Sequence, residues 1–295
     1  MIESPYRSGL VALAGRPNVG KSTLANALSG RHVAAVSPRP QTTRRRVTAV
    51  VHGSGWQAVL LDLPGFQRPA DGLTRRMQDT VDRTLGDCDA ALFVTSAAET
   101  AGAGDRFIAA RLREAGLPVI TVVNQVDRVS RAAIAAAIAA AAELVEFRAL
   151  HPVSALTGDG LDALREELAA LLPPGPRFFP EGVVTDQTDE ELAAELIREA
   201  ALARVRQEVP HALAVEVEEI ERRGQERIVR AALLVEHESQ KGILVGSGGS
   251  TIRAIGTDAR EALSRLWGLT VHLDLMVKVR RRWRRDERML DRLGL

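Results

Sequence analysis

An apolar run near the start of the chain, Leu10-Val11-Ala12-Leu13-Ala14, leads directly into Gly15-Arg16-Pro17-Asn18-Val19-Gly20-Lys21-Ser22. This stretch matches the G-x-x-x-x-G-K-[ST] pattern, in which glycines let main-chain N–H groups turn inward around phosphate. The apolar run predicts a buried strand, and residues 23–28 predict a helix whose N-terminus adds positive potential at the same point. The alternative is a glycine-rich turn before a helix.

Two side chains of this loop have defined chemistry. Lys21 is expected to reach the β- and γ-phosphates of a nucleotide, and the Ser22 hydroxyl is expected to bind Mg²⁺. Because only three of the 39 basic residues are lysines, composition alone would rarely place a lysine here. The predicted nucleotide contacts of this segment are Gly15, Arg16, Pro17, Asn18, Val19, Gly20, Lys21, Ser22 and Thr23.

A second motif indicates guanine. The strand-like run at 118–123 is followed by Asn124-Gln125-Val126-Asp127, which resembles the N-K-x-D motif of GTPases with glutamine in place of lysine. The adjacent N–H donors of guanine suit one carboxylate, so Asp127 is predicted to read the base, and Asn124 to tie this loop to the phosphate loop. Ser154-Ala155-Leu156 resembles the S-A-x motif, whose main-chain N–H groups meet the guanine O6.

The remaining GTPase elements follow in order. Val59-Leu60-Leu61 is predicted to be a buried strand that ends in Asp62-Leu63-Pro64-Gly65, a D-x-x-G motif. Asp62 is expected to hold Mg²⁺ through water, and the Gly65 N–H to touch the γ-phosphate. Gln41-Thr42-Thr43-Arg44 lies where the first switch loop belongs, and Thr43 is the candidate hydroxyl that closes on Mg²⁺. GTP or GDP and Mg²⁺ are therefore the predicted ligands.

The group that orients the attacking water is not evident. Phe66 follows Gly65 where many GTPases have glutamine, and Gln67 and the arginines at 44–46 are the other candidates. GTPases with asparagine at the position of Asn18 can use K⁺ to neutralise charge between the β- and γ-phosphates; alternatively, Asn18 only braces the loop. Slow intrinsic turnover is expected. The predicted catalytic residues are Lys21, Asn18, Thr43 and Gly65.

Length and composition favour two domains and no membrane span. The 295 residues carry a formal net charge of +1, and 45% of them are hydrophobic. No apolar segment reaches about 18 residues without a charge, and the N-terminus lacks a signal-peptide pattern, so a cytoplasmic protein is expected. The single Cys88 cannot form an internal disulfide and is expected to be a small filler residue in a reducing compartment.

A Pro-rich segment at 171–180, with four prolines and a glycine, divides the chain. Before it, alternating strand and helix patterns predict a doubly wound, mostly parallel α/β sheet. After it, the order changes to that of a small α+β domain. The predicted limits are 1–172 for a GTP-binding domain, 173–182 for a linker and 183–295 for the second domain.

The second domain has its own sequence of elements. Thr188 and Glu191 form a capping-box pattern at the start of a predicted helix over 189–207. Further along, patterns predict antiparallel strands over 213–220 and 227–236, a helix pair that includes 250–267, and a strand over 270–279.

Gly246-Ser247-Gly248-Gly249 follows the apolar residues 243–245, which are predicted to lead from strand to helix. This G-x-x-G resembles the loop with which KH domains clamp a nucleic-acid backbone, and the element order matches the type II arrangement. Ser247 stands where many KH loops have a basic residue, so its attraction for phosphate is expected to be weaker.

Charge is distributed unevenly. Residues 181–238 hold 7 basic and 15 acidic side chains, whereas residues 239–295 hold 12 basic and 6 acidic. Around Trp283, which could stack on a base, are clustered Lys278, Arg280, Arg281, Arg282, Arg284 and Arg285. The alternative is a solvated tail that Trp283 anchors to the domain. The predicted RNA contacts are Lys241, Gly246, Ser247, Gly248, Gly249, Lys278, Arg280, Arg281, Arg282 and Trp283.

Across almost its whole length the chain resembles the Era GTPases. The resemblance rests on residues 178–181, 184–187, 192–199, 240–249, 277–280 and 283–288, and on the pairing of one GTPase domain with one KH domain. It implies a bacterial ribosome-assembly factor that binds the 3′ end of small-subunit ribosomal RNA. Leu63, where threonine is usual, departs from the family.

The resemblance also implies a partner and a location. The expected partners are small-subunit ribosomal RNA and the small ribosomal subunit, for a monomer in the cytoplasm that can associate peripherally with the inner membrane surface. Two alternatives remain: a GTPase that serves RNA modification, against which the position of Cys88 in the GTPase half counts, and an RNA-binding scaffold in which GTP is structural.

Overall fold

The computed structural model describes residues 5–37, 39, 42–65, 70–205 and 209–295. By their contacts, the described residues of Met1–Ala34, Thr43–Arg68 and Met77–Asp186 form a first unit. Those of Ala35–Thr42, Pro69–Arg76 and Gln187–Leu295 form a second unit. Two short segments from the first half of the sequence therefore belong to the second unit.

The first half of the chain forms a six-stranded sheet with the order β2-β3-β1-β4-β5-β6. Strand β2 is antiparallel to β3, and the other neighbours are parallel. The elements in chain order are β1 (Arg7–Ala14), α1 (Lys21–Ser29), β2 (Val47–Gly53), β3 (Trp56–Asp62), α2 (Gly72–Asp87), β4 (Ala90–Ser96), α3 (Ala103–Glu114), β5 (Val119–Asn124), α4 (Arg131–Ala142), β6 (Ala149–Pro152) and α5 (Leu161–Leu171). The predicted doubly wound α/β sheet is confirmed.

Alternate residues of β1 explain why both faces of this sheet are covered. Val11 and Leu13 belong to a core cluster with residues of α1 and α5. Ala12 and Ala14 belong to another cluster with residues of α2 and α3. Since side chains of a strand alternate between faces, an uninterrupted apolar strand needs helices on each side.

The second unit contains a three-stranded sheet with the order β7-β8-β9. Strands β7 and β8 are antiparallel, and β9 lies parallel to β8. Its elements are α6 (Asp189–Arg204), α7 (Val209–Ala212), β7 (Ala214–Arg223), β8 (Glu226–Val235), α8 (Glu238–Val245), α9 (Ser250–Trp267), β9 (Thr270–Val279) and α10 (Glu287–Arg292). Residues of α6, α8 and α9 pack with the strands in one core, which confirms the predicted α+β arrangement.

Local signals set several of these boundaries. The Thr188 side chain accepts a hydrogen bond from Glu191 N, and the Glu191 side chain accepts one from Thr188 N, so the predicted capping box is present. Helix α6 ends at Arg204, and the last two residues of the predicted helix lie outside the described ones. Residues 243–245, which were predicted to lead from strand to helix, are the last residues of α8, a helix that starts at the cap where Gln240 Oε1 accepts from His237 N.

The Pro-rich segment is held against the edge of the first sheet. Gln57, fully buried, accepts hydrogen bonds from Phe178 N and Phe179 N and donates one to Phe179 O at 2.9 Å. Val50 N donates to Val184 O at 2.8 Å. The first unit therefore continues through these residues to Asp186. In the described part of the chain, no helix has both the length and the apolar character needed to cross a bilayer.

Candidate functional site

The candidate nucleotide residues lie at one edge of the first sheet. Strands β1, β3, β5 and β6 run parallel, and the loops that carry the motifs follow their carboxyl ends. Ligands of open α/β sheets bind at this edge. The structure gathers here Gly15, Arg16, Pro17, Asn18, Val19, Gly20, Lys21, Ser22, Thr23, Asp62, Leu63, Pro64, Gly65, Asn124, Gln125, Val126, Asp127, Ser154, Ala155 and Leu156.

The phosphate loop joins β1 to α1 and approaches the base-reading loop closely. Gly20 has a φ of 94°, and a Cβ atom at this position would lie 2.3 Å from Asn124 Nδ2. A side chain here would meet both backbone strain and a steric clash. Glycine at this point is therefore required by the contact between two loops that are far apart in sequence.

Lys21 is the first residue of α1, and its ammonium group is enclosed by the loop. Its Nζ atom donates to Gly15 O at 2.9 Å and to Arg16 O at 3.0 Å. Burial lowers the pKa of Lys21 from its ordinary value, and the carboxylate of Asp62 acts in the opposite direction. A phosphate group in this loop would provide the buried cation with a counter-charge.

Three oxygen-bearing side chains converge beside Lys21. Ser22 Oγ donates to Asp62 Oδ2 at 2.6 Å and lies 3.0 Å from Thr43 Oγ1, which is 3.3 Å from Asp62 Oδ2. Asp62 is fully buried, at the end of β3. Hydroxyl and carboxylate oxygens are the donors that Mg²⁺ prefers, so this group fits the predicted magnesium site.

The base-reading loop is ordered by its own side chains. Asn124 Nδ2 donates to Val19 O at 2.9 Å, which is the link between the two loops that the sequence predicts. Ser154 Oγ donates to Asp127 Oδ1 at 2.7 Å, while the Asp127 side chain remains exposed at the surface. One carboxylate oxygen is thus oriented by the protein, and Asp127 stays accessible to a base.

The main-chain donors of the S-A-x motif differ from the expectation. Ser154 N donates to Asp159 O at 2.9 Å, and Ala155 N donates to Asn124 Oδ1 at 3.0 Å. Both N–H groups therefore serve internal contacts rather than the predicted guanine O6. Within the described residues, the Leu156 N–H is the member of the motif without such a contact, and Leu156 is 79% exposed.

Two supporting residues of this site have no signal in the local sequence. Asp105 of α3 is fully buried and accepts from Arg16 Nε at 2.9 Å. Ser96, the last residue of β4, donates to Gln125 Oε1 at 2.6 Å. Both contacts join segments separated by many residues, so only the folded chain reveals them. The predictions for Gln41, Phe66 and Gln67 lie outside the described residues.

The glycine loop of the second unit lies between α8 and α9. Gly246, Gly248 and Gly249 all have positive φ angles, between 57° and 78°. A Cβ atom on Gly246 would lie 2.3 Å from Thr251 Oγ1, whereas one on Gly248 would meet nothing within 4 Å. Ser247 and Gly248 are exposed. The tip of the loop is therefore exposed, with free space beside Gly248.

The residues of the basic cluster differ in exposure and in their contacts. Arg280, Arg281 and Arg282 are exposed after β9, whereas Lys278 forms an ion pair with Glu218. Lys241, on α8, is half-buried. Trp283 is fully buried, and its Nε1 donates to Ala212 O at 2.8 Å. The prediction that Trp283 stacks on a base is wrong for this structure, because the apolar ring is packed in the core and anchors the basic tail.

Known families match both halves of the chain. A family described as 50S ribosome-binding GTPase matches residues 10–125, and a family described as KH domain matches residues 208–284. The combination agrees with the two units seen in the structure.

Full-length relatives match as well. The chain is 46% identical to the GTPase Era of Mycobacterium tuberculosis, over 98% of this chain and 99% of the relative. The GTPase Era of Mycobacterium sp. strain KMS is also 46% identical, over 99% of each.

Two solved structures share the fold over 98% of this chain and 99% of theirs, each with a TM-score of 0.93 and 34% identity. One is Era in complex with MgGDPNP and nucleotides 1506–1542 of 16S ribosomal RNA, and the other is a variant of Aquifex aeolicus Era bound to GDP·AlF4⁻. Together with the phosphate loop, the guanine motif and the glycine loop, these matches lead to one conclusion: the chain belongs to the Era family of GTPases.

Proposed function

We propose that this protein is a GTP-hydrolysing switch that binds small-subunit ribosomal RNA near its 3′ end and assists assembly of the small ribosomal subunit. The observation that carries the proposal is the convergence of Ser22, Thr43 and Asp62 beside Lys21, in a chain whose second unit presents an open G-x-x-G loop. The first feature suits a metal–nucleotide complex, and the second suits a nucleic-acid backbone.

The chemistry assigned to the first unit is charge stabilisation at the phosphates. Ser22 and Thr43 would contribute hydroxyl oxygens to Mg²⁺, and Asp62 would hold its water. Mg²⁺, when bound, neutralises charge on the β- and γ-phosphates. Lys21 would exchange its hydrogen bonds to Gly15 O and Arg16 O for contacts with the phosphate oxygens. The Gly65 N–H would donate a hydrogen bond to the γ-phosphate. Intrinsic turnover is expected to be slow.

K⁺ is the proposed cation that assists GTP hydrolysis by neutralising charge at the phosphates. Asn18 belongs to the phosphate loop and adopts a positive φ of 65°. Its amide oxygen is of the type that binds K⁺, and a cation there would stand where other GTPases use an arginine. If Asn18 only braces the loop, hydrolysis will be the same in Na⁺ and in K⁺.

The second unit is the proposed RNA-binding part. The related Era complex contains nucleotides 1506–1542 of 16S ribosomal RNA, and we propose the same kind of RNA ligand for this chain. Ser247, Gly248 and the exposed Arg280, Arg281 and Arg282 are the proposed contacts. A monomeric state, a cytoplasmic location and peripheral association with the inner membrane surface are parts of the same proposal.

Single-turnover GTP hydrolysis by the full chain tests the proposal. It is measured in K⁺ and in Na⁺, with and without an RNA oligonucleotide that covers the 3′ end of 16S ribosomal RNA. The rate of GTP hydrolysis is expected to rise when the RNA is present. A Lys21→Ala variant lacks the phosphate-binding ammonium and is expected to lose GTP hydrolysis. If the Lys21→Ala variant hydrolyses GTP at a rate within about threefold of the parent's rate, the assigned role of Lys21 is wrong. Loss of its charge stabilisation should slow hydrolysis by much more than that. An RNA-binding protein without hydrolysis would be a scaffold instead.

A further inference from the structure

Helix α6 and the residue after it bind the segment Ala35–Thr42, and all of these residues belong to the second unit. Val36 N donates to Glu199 Oε2 at 3.0 Å. Arg39 Nη2 donates to Val205 O at 3.2 Å. Arg198 Nη2 donates to Thr42 O. Three described residues that precede the candidate magnesium ligand Thr43 are thus hydrogen-bonded to Glu199, Val205 and Arg198.

Arg198 is the buried member of this set. Arg198 is 4% exposed, and its guanidinium forms an ion pair with Glu195 Oε2 at 2.9 Å, one helical turn earlier. A buried charge is tolerated only when it is paired and hydrogen-bonded, so the guanidinium has little freedom to move. Arginine also presents its donors in a rigid plane, which fixes the direction of the bond to Thr42 O.

The contact with Thr42 acts on Thr43 through a covalent constraint. The carbonyl group of Thr42 and the N–H group of Thr43 lie in the same peptide plane, which does not twist appreciably. Arg198 binds Thr42 O, and the neighbouring Thr43 has its Oγ1 atom 3.0 Å from Ser22 Oγ and 3.3 Å from Asp62 Oδ2. The Arg198 contact and the gathered oxygen group therefore occur together.

We propose that Arg198 is a positioning residue for GTP hydrolysis, which holds the peptide plane that places the Thr43 hydroxyl at the magnesium site. The inference rests on the proposed role of Thr43 in the first unit. It assigns to the second unit an indirect contribution to the reaction, made through residue 42.

The test uses the full chain with the double substitution Glu195→Gln/Arg198→Gln, which replaces both charged members of this ion pair with neutral amides of similar shape. The matched control is Arg204→Gln. Arg204 lies on the same helix and pairs with Asp258 at 2.6 Å, and among the described residues it forms no hydrogen bond or ion pair with Ala35–Thr42. Single-turnover hydrolysis is measured over a range of Mg²⁺ concentrations, together with GDP affinity and thermal unfolding.

The double variant is expected to hydrolyse GTP about tenfold more slowly and to need more Mg²⁺, because a misplaced ligand costs rate steeply. GDP affinity is expected to stay unchanged, since the phosphate loop and the guanine motif are intact. If the double variant does not unfold cooperatively, Arg198→Lys takes its place. Lysine keeps the cation beside Glu195 and loses the planar donor group.

A cycle with Thr43→Ala separates positioning from general stabilisation. If Arg198 acts through Thr43, substituting Arg198 in the Thr43→Ala background will cause no further loss of rate. The same loss in both backgrounds, or a rate within about twofold of the parent in the Arg198 variant, would overturn the inference. If Thr43→Ala itself hydrolyses GTP normally, the proposed role of Thr43 fails and the inference with it. Loss in Thr43→Ala alone rejects only the role of Arg198.

Discussion

Gln125 Nε2 donates a hydrogen bond to the main-chain oxygen of Asn18, 3.0 Å away. Both residues adopt left-handed backbone conformations, with φ angles of 67° and 65°. The other end of the Gln125 amide accepts from Ser96 Oγ. Glutamine in place of the family's lysine therefore links the guanine loop, the phosphate loop and the end of β4.

We expect Gln125→Glu to weaken binding of both GDP and GTP about tenfold, because the carboxylate cannot donate to Asn18 O and would face it with like partial charge. Nucleotide titration by calorimetry measures the effect. Gln125→Lys is the matched control, since its ammonium keeps a donor for Asn18 O. Equal affinities for the Glu variant and the parent would show that the bridge does not support the nucleotide.

Asp127→Asn is expected to change the preferred base from guanine to xanthine. The carboxylate is oriented by Ser154 Oγ at 2.7 Å. An amide in its place would direct a donor at the guanine N–H groups but would pair with the C2 oxygen of xanthine, a difference of about 1–3 kcal/mol. Competition between GTP and xanthosine triphosphate measures the preference. Unchanged preference for GTP would remove Asp127 from base recognition.

Two sets of substitutions in the second unit are expected to affect RNA differently. Ser247→Asp with Gly248→Asp places two charges, and one side chain at a φ of 57°, on the exposed loop, so RNA binding is expected to be lost. Replacing Arg280, Arg281 and Arg282 with Gln is expected to weaken binding across RNA sequences and to flatten its salt dependence.

RNA titrations at several salt concentrations test both sets, and GDP affinity of the full chain is the control that is expected not to change. Undiminished RNA affinity in the Asp variant would reject the assigned role of the loop while leaving its fold intact.

Cys88 is expected to resist thiol reagents at pH 8 in the folded protein. It is buried, and burial, followed by the nearby Asp89 and Asp87 carboxylates, raises the pKa of its thiol to about 12. The raised pKa favours the protonated thiol in the folded state, so its contribution to stability is complete below the unfolded pKa of about 9 and is lost as the pH rises toward 12.

The rate of labelling with an aromatic disulfide, followed with increasing urea, is expected to parallel unfolding. Cys88→Ala provides the matched control, because it lacks the thiol component of the alkaline loss of stability. Rapid complete labelling of the native protein at pH 8 would contradict the burial of this residue.

Element types followed from local patterns more reliably than element ends. The helix over 250–267 and the strand over 270–279 match α9 and β9, because α9 is bounded by the left-handed Gly249 and Gly268 and β9 alternates in polarity. Residues 243–245 illustrate the limit of such patterns. A short apolar run suits a strand or a helix, and the cap formed by His237 and Gln240 selects the helix.

Within the candidate site, the chemistry follows from the amino-acid sequence alone. The order of a phosphate loop, a D-x-x-G motif and an N-x-x-D motif restricts the ligand to a guanine nucleotide with Mg²⁺, because each motif carries the donors or acceptors that its part of the ligand requires. Capping signals and glycines fixed the local turns.

The contacts between the supporting groups of the site depend on how the chain folds in three dimensions. The buried Asp105 reaches Arg16, the N–H of Ala155 is used by Asn124, and Arg198 binds the carbonyl of Thr42 across 156 positions of sequence. The three-dimensional fold also makes Trp283 a core residue, since an indole beside a run of arginines looks the same in sequence whether it is packed or exposed. These contacts depend on the close approach of segments that are distant in the chain, and no local pattern encodes which buried donor will find which acceptor.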